Sequence, residues 1–404
     1  MTMKATFTLS PGVDRREVLG ADDVTDAELE AMVADLWDVP TVRLHASTAE
    51  PVVYDVPSIL TGARTWVRGR ATAGADTEDR DGDREEDREE DREFTLFVKR
   101  VHNWRHSPAF AGVPPEIGEW AAASLPWRAE PLVYDSDLRE RLPEGLSMPR
   151  GLRVEERPDE TAVIWMEAVA ADPVPWGADD SVRAARLLGR LAASRAVAAL
   201  ADIDPQPWHI DSFVAGRLAF TVLPGLHDEA TWLHPAVAEH FGGLRDGLVA
   251  AARHLDVLAH EFATSRHLAS HGDACPNNLL RRAGQPGFTL IDFGFWRSQP
   301  VGFDLSQLLV GDIQIGRQDA DDLPERAAAC VASYAAGLAD EGLEVPLEEV
   351  RRGHAVSLML FNGLPSLPLE RLDDPDIDAL HHWSRQRAAI ARYSLDVLAD
   401  TEPG

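Results

Sequence analysis

The sequence predicts an α+β chain of two lobes, the first rich in strands and the second mainly helical. Three observations carry this. Runs of β-branched and aromatic residues of strand length cluster between Val52 and Val101, bounded by turn residues. From Ser181 onward alanine, leucine and arginine dominate, as in Val182-Arg-Ala-Ala-Arg-Leu-Leu-Gly-Arg-Leu-Ala-Ala193, a composition of strong helix formers. Between Ser270 and Leu309 polar loops and short apolar runs, Asn278–Leu280 and Phe288–Phe293, interrupt that helical stretch. They read as a small hairpin set among helices.

Taken in order, Thr25-Asp-Ala-Glu28 has the form of a capping box, and Leu29, Met32, Val33 and Leu36 follow at helical spacing. An amphipathic helix is expected there, within an N-terminal extension over residues 1–40. Val52–Leu60, Thr65–Ala71 and Phe94–Val101 read as three strands, the first two joined through a turn at Thr61-Gly62-Ala63-Arg64. Between the second and third lies Asp76-Thr-Glu-Asp-Arg through Glu93, with twelve acids and four arginines. Its arginines recur every fourth residue, but no apolar face exists to dock a helix, so 74–93 reads as a solvated, disordered insertion. A helical stretch follows from Trp127 to about Arg141. Ala162–Val169 then reads as a buried strand running out into Ala170-Ala-Asp-Pro-Val-Pro175. That exit sets the expected boundary between a first lobe, 41–169, and a second, 170–404.

The 404 residues are 45% hydrophobic, enough to bury a large core. Two cysteines, Cys275 and Cys330, provide neither a disulfide framework nor zinc-site spacing. No stretch approaches the roughly 18 uninterrupted apolar residues of a membrane span, and the first residues lack a secretory apolar core. A soluble, cytoplasmic protein is the expectation. The formal charge of -29 leaves no basic stripe for nucleic acid or an anionic membrane, while permitting a cationic small-molecule partner. Oligomeric state has no sequence signal here.

The chemistry concentrates in the helical lobe's interruption, His271-Gly-Asp273-Ala-Cys-Pro-Asn-Asn278-Leu-Leu280 and Leu290-Ile-Asp292-Phe-Gly294. Two carboxylates and an amide flank a tight hairpin. Phosphoryl transfer to a hydroxyl asks for a carboxylate to receive the acceptor's proton, and for oxygen ligands that bind magnesium and thereby the nucleotide phosphates. Asp273 suits the first task, and Asn278 and Asp292 the second.

This segment resembles the catalytic loop of the aminoglycoside phosphotransferase and choline kinase-like family, small-molecule relatives of the protein kinases. The shared pattern is His-x-Asp-x4-Asn followed by an apolar strand ending in Ile-Asp. Gly302-Phe-Asp304-Leu305 matches a further Asp-Leu of that family. The resemblance implies a bilobal, protein-kinase-like α+β fold with an antiparallel-sheet N-lobe and a helical C-lobe. It implies ATP and magnesium as cofactors and a small-molecule hydroxyl as acceptor, with His271 and Asp304 as supports of the loop. A kinase-like enzyme also needs a lysine on its third strand, and Lys99 stands in the apolar run Leu96-Phe-Val-Lys99. Its expected partner is Glu130, with Glu116 and Glu119 as alternatives. Adenine is expected at main-chain groups near Glu167, Ala168 and Val169. No Gly-x-Gly-x-x-Gly is present, so the turn at Gly62 is the phosphate-loop assignment.

The rival reading is a nucleotide-binding pseudokinase or regulatory module. A protein kinase is disfavoured because no Ala-Pro-Glu element follows Gly294. Trp104, Trp120, Trp127 and Trp165 read as packing anchors, and His381-His382 as surface or helix packing rather than a metal site.

Overall fold

The computed structural model describes residues 13–53, 58–74, 91–108, 114–171, 176–282 and 286–402. Contacts divide the chain into two units, one of residues 1–123, 130–139 and 148–173, the other of 124–129, 140–147 and 174–404.

In the first unit, helix Asp26–Trp37 starts where its sequence says it should. Thr25 Oγ1 accepts from the Glu28 amide at 3.2 Å and Glu28 Oε2 accepts from the Thr25 amide at 2.8 Å, which satisfies two of the amides a helix start leaves open. The strands form one antiparallel sheet in the order β1-β2-β3-β4-β7-β6. They are β1 (Val13–Asp14), β2 (Val42–Pro51), β3 (Thr61–Ala73), β4 (Asp91–His102), β6 (Gly151–Glu156) and β7 (Thr161–Glu167). Along β4 the alternate residues Phe94, Leu96 and Val98 are buried and join Leu29, Met32 and Val33 of the helix in one core, as period-two alternation requires. Lys99 falls on the opposite face, in register with Arg64 on β3 and Ile164 on β7.

Two expectations are corrected. Val52–Leu60 is not a strand in its described residues; the strand preceding β3 is β2, further upstream. Pro51 and Pro57 bracket the valines that suggested a strand, and proline removes ladder donors. Thr61–Arg64 is consequently the start of β3 rather than a turn, with Gly62 at a bulge between the pairs Thr61↔Val101 and Ala63↔Arg100. The acidic insertion falls largely on 75–90, outside the described residues, but its last three residues, Asp91–Glu93, already pair with β3 as part of β4.

The second unit is mainly helical. A core of Phe241, Leu248, Phe262, Phe303, Met359 and Leu360 lies among helices such as Leu255–Thr264, Leu347–Leu358 and Ile377–Asp400. Two small sheets interrupt it. The expected hairpin is present as β9 (Leu279–Leu280) and β10 (Phe288–Leu290), joined by β5 (Leu146–Ser147); β8 (His267–Ser270) pairs with β11 (Arg297–Pro300). The chain thus has the α+β architecture expected of it, an antiparallel sheet followed by a helical remainder. No described helix is long and apolar enough to cross a membrane.

Candidate active site

The loop from His271 to Asn278 is held from below by one carboxylate. Asp304, at the first position of helix Asp304–Gln314, accepts from Ser270 Oγ at 2.8 Å and the Gly272 amide at 2.9 Å through Oδ1, and from the His271 amide at 3.0 Å through Oδ2. Both oxygens act as acceptors, the pattern of an ionised carboxylate. Burial raises the pKa of Asp304, and His271, Ser270 and the two amides oppose that rise.

His271 is fully buried. Its Nε2 donates to the Ile291 carbonyl at 3.0 Å, and its Nδ1 accepts from the Asp273 amide at 3.3 Å. The bonds assign a neutral ring with its proton on Nε2, and burial, the largest influence, lowers the pKa in agreement. The ring therefore clamps the strand leading to Asp292 against the backbone of Asp273.

Gly272 is obligatory on two grounds. Its φ is +82°, and a Cβ there would stand 2.0 Å from the Phe295 carbonyl oxygen. Asp292 also adopts a left-handed backbone, φ +64°, a conformation that aspartate tolerates better than most residues but at some strain. It places the carboxylate at the sharp exit of the β10 strand, where its charge is felt at the His271 ring.

Asn278 closes the loop. Its Nδ2 donates to the Asp273 carbonyl at 2.9 Å and to Asp273 Oδ2 at 3.1 Å, and its carbonyl accepts from the Ile291 amide at 3.0 Å. The side-chain amide thus orients the Asp273 carboxylate and leaves Oδ1 as the atom able to ligate a cation. Asn278 Oδ1 and the Asp292 carboxylate are hard oxygen donors of the type magnesium takes.

Lys99 and Glu130 meet in the first unit, Nζ to Oε2 at 2.6 Å, with both side chains buried. Glu130 lies in the first turn of helix Ala129–Asp135. The alternatives Glu116 and Glu119 are exposed on helix Pro115–Ser124. Glu167 ends β7, its amide donating to the Arg150 carbonyl at 2.9 Å and its Oε2 accepting from the Arg150 amide at 3.1 Å. Val169 follows in irregular backbone.

Sequence reasoning passed over three residues here. Ser270, immediately before the loop motif, shares Asp304 with it. Gly311 lets helix Asp304–Gln314 approach Cys275, whose Cβ would stand 2.6 Å from a Cβ at position 311. Asp312, the next residue, is half-buried, and its Oδ1 is sealed from water without a hydrogen-bond partner. An acid inside the apolar run Leu308-Leu-Val-Gly-Asp-Ile313 was the available signal. Burial raises the Cys275 thiol above its ordinary range, and Asp273 and Asp312 raise it further, so Cys275 is a packing residue rather than a nucleophile.

Set beside known proteins, the chain belongs to the phosphotransferase enzyme family, APH, whose model matches residues 138–339, half of its length. The matched span contains the whole loop from His271 to Asp304. Similar solved structures include the spectinomycin phosphotransferase APH(9)-Ia in complex with ADP and spectinomycin, at 11% identity over 94% of this chain and 99% of that one, TM-score 0.46. An aminoglycoside phosphotransferase from Alicyclobacillus acidocaldarius is 16% identical over 76% and 86%, TM-score 0.48. Amicoumacin kinase hAmiN, in complex with AMP-PNP, Ca2+ and Ami, is 15% identical over 96% of each chain, TM-score 0.46. No curated protein matches the chain.

Proposed function

We propose that this chain is an ATP-dependent kinase of a small-molecule hydroxyl, with Asp273 as catalytic base. The observation that carries the reading is the Asn278 side-chain amide bonded to the Asp273 carboxylate on a loop whose backbone Asp304 fixes. Such a carboxylate is pre-oriented, and in phosphoryl transfer positioning does most of the work.

In this account a carboxylate oxygen of Asp273 receives the proton of the acceptor hydroxyl as that oxygen bonds to the γ-phosphorus. The bond from the γ-phosphorus to the bridging oxygen breaks, and ADP leaves with the electron pair. Asn278 and Asp292 would hold magnesium, which would offset charge on the phosphates. Lys99, steadied by Glu130, serves the α- and β-phosphates. Gly62, at the bulge that opens β3, is the residue proposed to lie against the phosphates. Adenine is assigned to main-chain groups near Glu167, Ala168 and Val169, at the end of β7.

Asp312 deepens the acceptor side. Asp312 Oδ1 has no hydrogen-bond partner, and although the charges of Arg317 and Arg326 act on it, a half-buried carboxylate so placed near Cys275 suits an ammonium or amino-alcohol group. The proposed acceptor is therefore an aminated small molecule. An ATP-consumption screen over amines, amino alcohols, sugars and antibiotics, with Asp273→Ala as blank, tests the reading. Stimulation by an aminated acceptor above the blank supports it, and nucleotide binding without stimulation by any acceptor makes the chain a binding module.

A further inference from the structure

The adjacent histidines His381 and His382 read as packing in the sequence, yet the fold gives the first of them partners. Helix Pro235–Phe241 carries Glu239 and His240 to the start of helix Ile377–Asp400. His240 Nε2 lies 3.2 Å from His381 Nδ1. His381 Nδ1 lies 3.3 Å from Glu239 Oε2, and His240 Nε2 lies 3.8 Å from Glu239 Oε1. The rings stand at 75° to one another rather than stacked, and one ligand atom of each of the three residues lies within 4.8 Å of the others. His240 and His381 are half-buried, whereas Glu239 and His382 are exposed.

Protons alone serve this arrangement poorly. A neutral imidazole has one N–H, and His381 Nδ1 has two short contacts. If it donates to Glu239, His240 is left to share the same proton. If it accepts from His240, its lone pair faces the carboxylate. A cation at the centre attracts all three atoms at once.

We propose that Glu239, His240 and His381 form a binding site for a divalent cation of the zinc class, built from none of the residues of the phosphoryl-transfer loop. Zinc bound tetrahedrally at 2.0–2.1 Å sets its ligand atoms about 3.3 Å apart, and two of the three separations here match. Two imidazoles and one carboxylate leave the fourth position to water. Imidazole nitrogen favours zinc and its neighbours over magnesium, which prefers oxygen. The spacing is fixed by packing, because Val237 and Phe241 on one helix and Ala388 and Ala391 on the other belong to the same core. The bound ion ties the C-terminal helix to helix Pro235–Phe241 and stabilises the folded chain by mass action.

The test is a titration of the metal-free full chain with Zn2+ against a chromophoric chelator, together with thermal unfolding with and without Zn2+. Wild type, His240→Ala, His381→Ala and His382→Ala are compared. The expected result is one equivalent bound and a raised unfolding midpoint in wild type and His382→Ala. In His240→Ala and His381→Ala affinity falls about tenfold or more and the rise is lost. Titration with Mg2+ should not distinguish the four proteins. Equal zinc affinity in all four, or an equal loss in His382→Ala, overturns the proposal in favour of adventitious surface binding. Should an alanine variant fail to fold by circular dichroism, Co2+ added to wild type decides: visible bands of tetrahedral intensity support the site, and their absence overturns it.

Discussion

Lys99 Nζ stands 2.6 Å from Glu130 Oε2, with side chains 4% and 3% exposed. One belongs to a central strand and the other to the first turn of a helix 31 residues later. Both side chains are buried, so each charge relies on protein partners rather than on water. Lys99→Met should abolish turnover and cost stability, up to about 3–5 kcal/mol, by removing the short ion pair that the buried Glu130 carboxylate makes. Lys99→Met with Glu130→Leu should recover most of that stability and none of the turnover. Urea denaturation beside an ATP-consumption assay checks both. Equal stability of the single and double variants would contradict the pairing argument.

Asp304 organises the loop through three donors that all point at it. Asp304→Asn sets a side-chain NH2 against at least one of them and should cost roughly 2–4 kcal/mol. Turnover should fall further than the folded fraction does, because the loop is misplaced even in molecules that remain folded. Activity per folded molecule, from turnover and circular dichroism on the same sample, is the check. An unchanged specific activity would remove Asp304 from the account of the loop.

His354 is fully buried, with Ser306 Oγ and Tyr393 Oη each 3.4 Å from its ring, and burial pushes its pKa down to about 4 from 6.5. The folded state therefore binds fewer protons than the unfolded state between those values. Stability is retained above pH 6.5 and lost as pH falls towards 4, by up to about 1.4 kcal/mol per pH unit from this group. His354→Gln should flatten the slope of unfolding free energy between pH 6.5 and 4. A slope identical to wild type would show that His354 does not carry that acid sensitivity.

Much of this was legible in the sequence, and the failures have physical causes. The capping box at Thr25 and Glu28 was readable because its signal is local, four residues satisfying their own backbone. The loop at His271–Asp292 was readable because its chemistry restricts residue type and spacing together. The first strand and its turn were misplaced because a β-branched run between two prolines imitates a strand, while β2, half of it polar, does not. Asp312 and the meeting of His240 with His381 were hidden for a different reason. Each depends on how helices distant in sequence pack, 141 residues apart for the histidines, and no local pattern encodes that.

If Asp312 receives the acceptor's cationic group, Asp312→Asn should raise KM for an aminated acceptor about tenfold or more. KM for ATP should be unchanged. Stability should change little, since the carboxylate oxygen removed has no hydrogen-bond partner and Arg317 and Arg326 reach it only through their charge. Steady-state kinetics with an aminated acceptor and a neutral sugar separate the effects. An equal rise in KM for both acceptors would assign Asp312 to general structure instead.

The central claim is that Asp273 takes the acceptor's proton. Asp273→Asn keeps the shape and removes the base, so ATP consumption in the presence of acceptor should fall by about 100-fold or more, while nucleotide affinity, measured by equilibrium titration on the same protein, stays within about twofold of wild type. Turnover near the wild-type rate with nucleotide still bound would contradict it.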